Sequence, residues 1–383
     1  MLRWLKNWGH LLEAVLASWY YRFPARRMVV TGVTGTEGKT TTCHLIAAIL
    51  RRAGKEVRLI STVSTTGLHV TTPAPWWLQK ELRLAADRGV RYVVVEASSH
   101  GLEQNRLWGV GFEVGVVTNV THDHLDYHGT YEKYLAAKAK LVKKAKMAVL
   151  NGDDESYGKL KSQNSNVKTY GRGVLSDFNP RNFPFQTKLP GVYNQYNCLA
   201  AIAACSVLGI KARVIREEVE RFEGVEGRME EIKKGQNFRV YVDFASTPHA
   251  LKNVLEYLKR ETEGELWVVF GSAGERDRQK RPMMGKIACK LADKVILTAE
   301  DPRTEKVEEI IEQIVAGCED REKVFKVPDR REAIRLVIDK AREGDVVVIC
   351  GKGHERSMCF GKTEYPWSDQ GEARKALGDR QDG

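Results

Sequence analysis

The stretch "VVTGVTGTEGKTTTCHLI", residues 29–46, leaves few folds open. An apolar, β-branched run passes into Gly32-Val33-Thr34-Gly35-Thr36-Glu37-Gly38, and Lys39-Thr40-Thr41 begins a helix-forming run. Glycines free backbone N–H groups to wrap an anion, and a helix N-terminus adds a positive dipole end. Such a strand–loop–helix turn belongs at the carboxyl edge of an open parallel sheet. Gly35, Thr36, Glu37, Gly38, Lys39, Thr40 and Thr41 are therefore the candidate cradle. Lys39 suits the β- and γ-phosphates of a nucleotide, and Thr40 suits a Mg2+ ion. The commonest phosphate-loop spacing would put a glycine where Val33 stands.

The chain around it alternates in the same way. "RMVVTGV", "EVRLIST", "RYVVVEAS", "VGVVTNVT" and "MAVLNGD" read as buried parallel strands, separated by helical runs such as "TTTCHLIAAILRRAG" and "YEKYLAAKAKLVKKAK". A second series, "FRVYVDFAS", "LWVVFGSAG", "KVILTAED", "VFKVPD" and "DVVVICGKG", follows the glycine-bearing segment "RFEGVEGRMEEIKKG". The expected fold is α/β: a central P-loop-type, mostly parallel sheet domain, then a Rossmann-like α/β C-terminal domain. A boundary near residues 222–232 gives an N-terminal helix over 1–27, a central domain over 28–225 and a C-terminal domain over 226–383.

The net charge of +11, from 61 basic and 50 acidic residues, suits anionic ligands. The basic residues form no patch interleaved with aromatics, which argues against nucleic acid. Seven cysteines without a CxxC pair argue for a reducing compartment and against disulfides or structural zinc. In the first 22 residues Trp4, Leu5, Trp8, Leu11, Leu12, Val15, Leu16, Trp19 and Tyr20 recur at helical spacing, with Arg3, Lys6, Asn7, His10 and Glu13 opposite. That amphipathic helix can either pack on the following domain or lie at a membrane interface. Glu13 and His10 interrupt the run, so it does not read as a secretory signal.

Ligands of open α/β sheets gather beyond the carboxyl ends of strands. "VVVEASSHGL" ends a strand with Glu96, Ser98, Ser99 and His100, and "VTNVTHDHLDYHG" ends another with Asn119, His122, Asp123, His124, Asp126 and His128. Carboxylate oxygens with an added imidazole suit a cation that bridges phosphates, so a metal site is expected there.

Nine ordered motifs, "TGTEGKTT", "EASSHGL", "TNVTHDHLDYHGTYEKYLAAKAKL", "YNQYNCLAA", "EGRME", "VDFASTPHAL", "FGSAGERDRQKRPMMG", "EDPRTE" and "GKGHE", resemble those of the Mur ligases over about residues 28–378. The chain is most similar to the type that adds the third amino acid to UDP-N-acetylmuramoyl-dipeptide. The resemblance implies a cytoplasmic, ATP-dependent amide ligase: the γ-phosphate passes to a substrate carboxylate, and an amine displaces phosphate from the acyl phosphate. Its substrates would be ATP, an amino acid and a muramoyl-peptide-like acceptor, with two Mg2+ ions as cofactors. A non-catalytic nucleotide-binding partner of a cell-wall enzyme is the other class left open.

Carried over by motif, Lys39 and Thr40 would hold phosphates and the first Mg2+, and Glu96 would bridge toward the second. His124 matches the second-magnesium histidine, and Lys138 the lysine that the family carbamylates, with Lys140 as the register alternative. Asn194 and Asn197 match the asparagines near the adenine, while Arg228 and Asp243 match further ATP contacts. Thr71, Thr72, Ser98, Gln104 and Arg106 match the muramoyl-peptide side. Arg276, Asp301, Arg303, Gly351 and Glu355 match the amino-acid pocket, and the arginine of "DPR" points to meso-diaminopimelate.

The chain also departs from the family. The resemblance implies a separate uridine-diphosphate domain in front, where 27 residues precede the central domain. An acceptor met at the inner face of a membrane, through residues 1–22, would fit that departure. Ser246 replaces a histidine, His249 an aspartate, and Asp301 an asparagine. An extra carboxylate at Asp301, beside Arg303, is expected to weaken attraction for an incoming carboxylate.

Overall fold

The computed structural model describes residues 2–64, 71–121 and 123–382, and only the backbone of 2–5 and 381–382. The expectations placed on His122 and on the side chains of Arg3, Trp4 and Leu5 lie outside the described residues. The chain divides into two compact units, Met1–Glu223 and Gly224–Gly383.

In the first unit, α1 (Leu2–Tyr20) precedes β1 (Val29–Thr34), β2 (Val57–Ile60), β3 (Tyr92–Glu96), β4 (Phe112–Val117), β5 (Ala145–Asn151) and β6 (Val167–Tyr170). Between these strands run α2 (Lys39–Arg52), α3 (Pro75–Asp87), α4 (Ser99–Glu103), α5 (Leu125–His128), α6 (Tyr131–Lys144) and α7 (Tyr157–Lys161). Then follow α8 (Val192–Val207) and α9 (Ala212–Arg221). The six strands form one sheet in the order β2-β3-β1-β4-β5-β6, and every neighbouring pair is parallel. Alternate residues of each strand face opposite layers. Val33, Val94, Val114 and Val116 pack under Leu45, Ile46 and Ile49 of α2 and Leu199 and Ile202 of α8. Val30, Val93, Val95 and Phe112 meet Leu78 and Leu82 of α3 and Leu141 of α6. Burial on both faces is why these strands read as unbroken apolar runs. Because β1 lies between β3 and β4, the chain crosses to both sides of it, and the carboxyl ends of these three strands border one crevice.

In the second unit, β7 (Glu230–Glu231), β8 (Arg239–Asp243), β9 (Leu266–Phe270), β10 (Lys294–Leu297), β11 (Val324–Lys326) and β12 (Val346–Cys350) form a sheet in the order β11-β10-β9-β12-β8-β7. It is parallel except for the antiparallel edge strand β7. The helices are α10 (Pro248–Glu261), α11 (Lys280–Leu291), α12 (Val307–Val315), α13 (Arg330–Lys340) and α14 (Asp369–Asp382). A separate antiparallel hairpin joins β13 (Ser357–Phe360) to β14 (Thr363–Pro366). Its strands are short and β14 is exposed along its length, so no apolar run announces them.

Two expectations are corrected. The helix α1 does pack on its unit, but by its small residues: Ala14, Ala17 and Ser18 are buried, whereas Trp8, Leu12, Leu16, Trp19 and Tyr20 are 52–71% exposed. Small side chains let a helix approach closely, and Ser18 Oγ fits against Gly109 and donates to the Trp108 carbonyl at 3.3 Å. The expectation against disulfides also fails, because Cys289 at the end of α11 is bonded to Cys318 just beyond α12. The two are 29 residues apart, and only the packing of α11 against α12 brings them together. A bridge over a loop of that length is expected to contribute about 3.5 kcal/mol, so reduction should lower the denaturation midpoint. Because the five free cysteines are buried, alkylation of the denatured, unreduced chain should label those five and spare these two.

Candidate active site

The loop of the candidate cradle joins β1 to α2. Gly38 takes a left-handed conformation (φ 77°) ahead of the first residue of α2. A Cβ there would lie 2.1 Å from Asn197 Oδ1, because α8 packs against the loop. A Cβ on Gly35 would lie 1.7 Å from Thr118 Oγ1, so β4 closes on the loop from the other side. Thr118 Oγ1 donates to the Glu37 carbonyl at 2.5 Å, and Glu37 N donates to Asn119 Oδ1 at 3.0 Å. Gly38→Ala is expected to weaken ATP binding at least tenfold, from left-handed strain and displacement of Asn197. Titration calorimetry checks this.

The chemistry-bearing side chains converge on this loop. Lys39 Nζ donates to the Thr36 carbonyl at 2.7 Å, across the turn a phosphate would occupy. Thr40 Oγ1 donates to Glu96 Oε1 at 3.0 Å, while Glu96 Oε2 accepts from Thr62 N at 3.0 Å and Thr62 Oγ1 at 3.1 Å. Glu96 ends β3, beside β1. A hydroxyl against a carboxylate is the hard-oxygen pairing that Mg2+ favours. Among the described residues no group of three or more His, Cys, Asp or Glu forms a ready-made metal cluster. Phosphate oxygens would therefore have to supply part of any cation's shell.

Lys138, in mid-α6, is buried and donates to the Gly35 carbonyl at 2.6 Å, with Nζ 4.4 Å from the Tyr134 ring centre. Burial first, and then the positive charge of Lys39, push its pKa well below the usual lysine value, against a smaller opposing pull from Asp123. Lys140 points elsewhere and donates to the Leu102 and Glu103 carbonyls at the end of α4. Tyr134 also shares a 3.0 Å hydrogen bond with Thr36 Oγ1, so one aromatic side chain braces both Lys138 and the loop. Sequence reading missed Tyr134, although its place four residues before Lys138 puts it on the same face of α6. His124 has φ 53° just before α5, with its ring 4.9 Å from that of His100 and its Nε2 3.3 Å from Asp123 Oδ2. His128 is buried between Glu103 (2.9 Å) and Ser99 (3.0 Å).

Four of the five acceptor-side candidates form one hydrogen-bonded chain. Thr72 Oγ1 donates to the Glu96 carbonyl at 3.0 Å and accepts from Ser98 N at 2.8 Å. Arg106 Nη1 donates to the Thr72 carbonyl at 2.7 Å and its Nε to Gln104 Oε1 at 2.8 Å. Gln104 Nε2 reaches Tyr127 Oη at 3.0 Å, and the Tyr127 ring lies tilted against that of His100, with centres 4.0 Å apart. Thr71 is half-buried immediately before Thr72. Asn197 Nδ2 donates to Asn194 Oδ1 at 2.9 Å, and Asn194 Nδ2 donates to the Pro190 carbonyl at 2.7 Å.

In the second unit, Asp243 accepts from Met229 N at 2.7 Å and Ala245 N at 2.8 Å, and Arg228 lies 4.4 Å over the Phe244 ring. Asp301 accepts from Lys352 Nζ at 2.7 Å and from Cys359 N at 2.9 Å, and Lys352 also pairs with Glu355 at 2.5 Å. The buried Lys352 ammonium thus offsets part of the charge that Asp301 adds, shared with Glu355, and sequence reading did not single out Lys352. Burial raises the pKa of Glu355 while Lys352 opposes the rise. Gly351 is drawn up against Glu300, whose Oε2 would lie 2.7 Å from a Cβ. Arg303 Nη1 donates to the Gly274 carbonyl at 2.5 Å, which ties it to the loop carrying the exposed Arg276.

Residues 33–205 match the family model for the Mur ligase middle domain, and residues 227–353 match that for the Mur ligase glutamate ligase domain. The UDP-N-acetylmuramoyl-L-alanyl-D-glutamate–2,6-diaminopimelate ligase of Geobacillus thermodenitrificans is 39% identical over 402 residues, covering 96% of this chain and 82% of the relative. The UDP-N-acetylmuramyl-tripeptide synthetase of a Roseiflexus species is 38% identical, covering 95% and 81%. A solved structure of a UDP-N-acetylmuramoyl-L-alanyl-D-glutamate–2,6-diaminopimelate ligase superposes with a TM-score of 0.64 at 34% identity, over 95% of this chain and 82% of that one. The fold extends to Escherichia coli FolC in complex with ADP, at a TM-score of 0.73 and 20% identity, over 97% and 95%.

Proposed function

This chain belongs to the Mur ligase family, and on that premise we propose that it is an ATP-dependent ligase of cell-wall precursors that adds meso-diaminopimelate to a muramoyl-dipeptide acceptor. The carrying observation is the convergence of Lys39, the Thr40–Glu96 pair and buried Lys138 on one phosphate loop. A pure scaffold has no use for that set.

The acceptor carboxylate takes the γ-phosphoryl group of ATP and releases ADP. The amine of the incoming amino acid then attacks the acyl carbon, and phosphate leaves as the amide forms. Loop N–H groups and Lys39 orient the phosphate chain, so most of the protein's contribution is positioning and charge balance. Thr40, Glu96, His124 and Lys138, the last as its carbamate, would hold two Mg2+ ions, which when bound neutralise charge on the transferring phosphate. Carbamylation needs a neutral amine, and the environment of Lys138 favours that form. Asn194 and Asn197, with Arg228 and Asp243, are assigned to ATP. Thr71, Thr72, Ser98, Gln104 and Arg106 are assigned to the acceptor.

Meso-diaminopimelate ends in a carboxylate and an ammonium. Arg303 and Arg276 suit the carboxylate, and Glu355 with Asp301 suit the ammonium, while Lys352 holds the two acids in place. Acceptor-dependent ADP release, measured with diaminopimelate or L-lysine as the amine, tests the proposal. Turnover of lysine alone would remove the amino-acid assignment. No acceptor-dependent ADP with any combination would remove the ligase reading in favour of a nucleotide-binding scaffold.

A further inference from the structure

Trp8, Leu12, Leu16, Trp19 and Tyr20, at spacings of four, four, three and one, line a single stripe along α1 opposite its docked face. The stripe continues onto α3. The Tyr20 and Trp76 rings meet at 5.6 Å, and Trp76 and Leu84, both about 40% exposed, flank Lys80 on successive turns of one face. Cations border this platform. Arg26 sits 4.3 Å over the Phe23 ring, which is itself 5.7 Å from Trp19, and Lys6, Arg22, Arg27 and Lys80 are exposed. Residues 1–28 contain five Arg or Lys against one acid, Glu13, and His10 lies 3.6 Å from that acid.

We propose that the α1–α3 face docks on an anionic lipid surface, with α1 lying in the interface. Tryptophan, tyrosine and leucine on one side of a helix with basic residues at its margins match the headgroup–acyl boundary, where rings seat among the acyl chains and cations meet phosphates. No described helix is long and apolar enough to cross a membrane, so the contact is superficial. A second copy is the poorer occupant, because a two-fold contact through this face would set cation against cation. Trp76 follows Thr72 by four residues, so docking would bring the loop assigned to the acceptor toward the bilayer. The inference rests on the exposed face and not on the ligase reading, and its test reads no catalysis.

The test is flotation of the full chain with vesicles of phosphatidylcholine, alone or with about one third phosphatidylglycerol, at low and high salt. The chain should float with the anionic vesicles, and salt should weaken that binding. The variant Leu12→Gln/Leu16→Gln/Trp19→Gln changes only exposed side chains and should lower partitioning at least roughly tenfold, with unchanged far-UV circular dichroism. Arg26→Glu/Lys80→Glu, which keeps the apolar stripe, should also weaken binding to anionic vesicles. Failure to float, equal flotation on neutral vesicles, or equal flotation of both variants overturns the proposal. So does a concentration-dependent dimer that the apolar variant dissociates without any vesicle binding.

Discussion

Lys138→Met is expected to lower the rate of acceptor-dependent ADP release about 10²–10³-fold, the scale seen when one preorganised charge-stabilising group is lost. Methionine fills nearly the same volume, so the buried site on α6 should keep its packing and ATP affinity should change little. The control is Lys140→Met. Lys140 caps carbonyls of α4 and does not face the loop, so that variant should retain most of its rate. A carbamate resonance after incubation with 13C-bicarbonate should appear in the parent and in Lys140→Met but not in Lys138→Met. Equal rates for parent and Lys138→Met would remove Lys138 from the catalytic assignment.

Arg330→Met is expected to destabilise the second unit by about 3–5 kcal/mol, the usual effect of removing one member of a buried ion pair. Arg330 and Asp369 are fully buried, and two guanidinium bonds of 2.8 and 2.7 Å join them. Arg330 also donates to the Ala299 and Cys350 carbonyls at 3.1 and 2.8 Å, so one side chain ties the ends of β10 and β12 to the starts of α13 and α14. Without it, Asp369 keeps the Trp367 indole N–H at 2.8 Å but loses its counter-charge. Urea unfolding should show a lower midpoint. Arg330→Met/Asp369→Asn should recover part of the loss, because the uncompensated buried charge is gone. Ala299 leads into Glu300 and Asp301, so KM for the amino acid should rise in the single variant more than KM for ATP.

The legible parts of this protein were those encoded within a short window. Each strand of the two main sheets except β6 and β7 stood out as a β-branched run, because burial on both faces demands it. The two-residue β7 and the exposed β14 carry no such demand and were not seen. At the site, Lys39, Thr40 and Glu96 were legible because loop and strand-end chemistry is local. Tyr134, Thr62 and Tyr127 were not, since each acts by bracing a neighbour that is remote in sequence or of ordinary type. Lys352 was hidden for the same reason. Its importance depends on Asp301, 51 residues away, and nothing in "GKGHE" alone says which acid it balances.

By itself the sequence determined the alternation of strand and helix, the glycine-bearing phosphate loop and the family, since periodicity and backbone freedom are properties of neighbouring residues. The tertiary structure alone decided which face of α1 docks. Helical periodicity identifies a stripe of large apolar residues but cannot say that Ala14, Ala17 and Ser18 meet a closer surface. It alone joined Cys289 to Cys318, and it alone set Lys352 between Asp301 and Glu355. Those pairings depend on how whole elements pack, and sequence spacing carries no record of distances that close only when the sheets are covered.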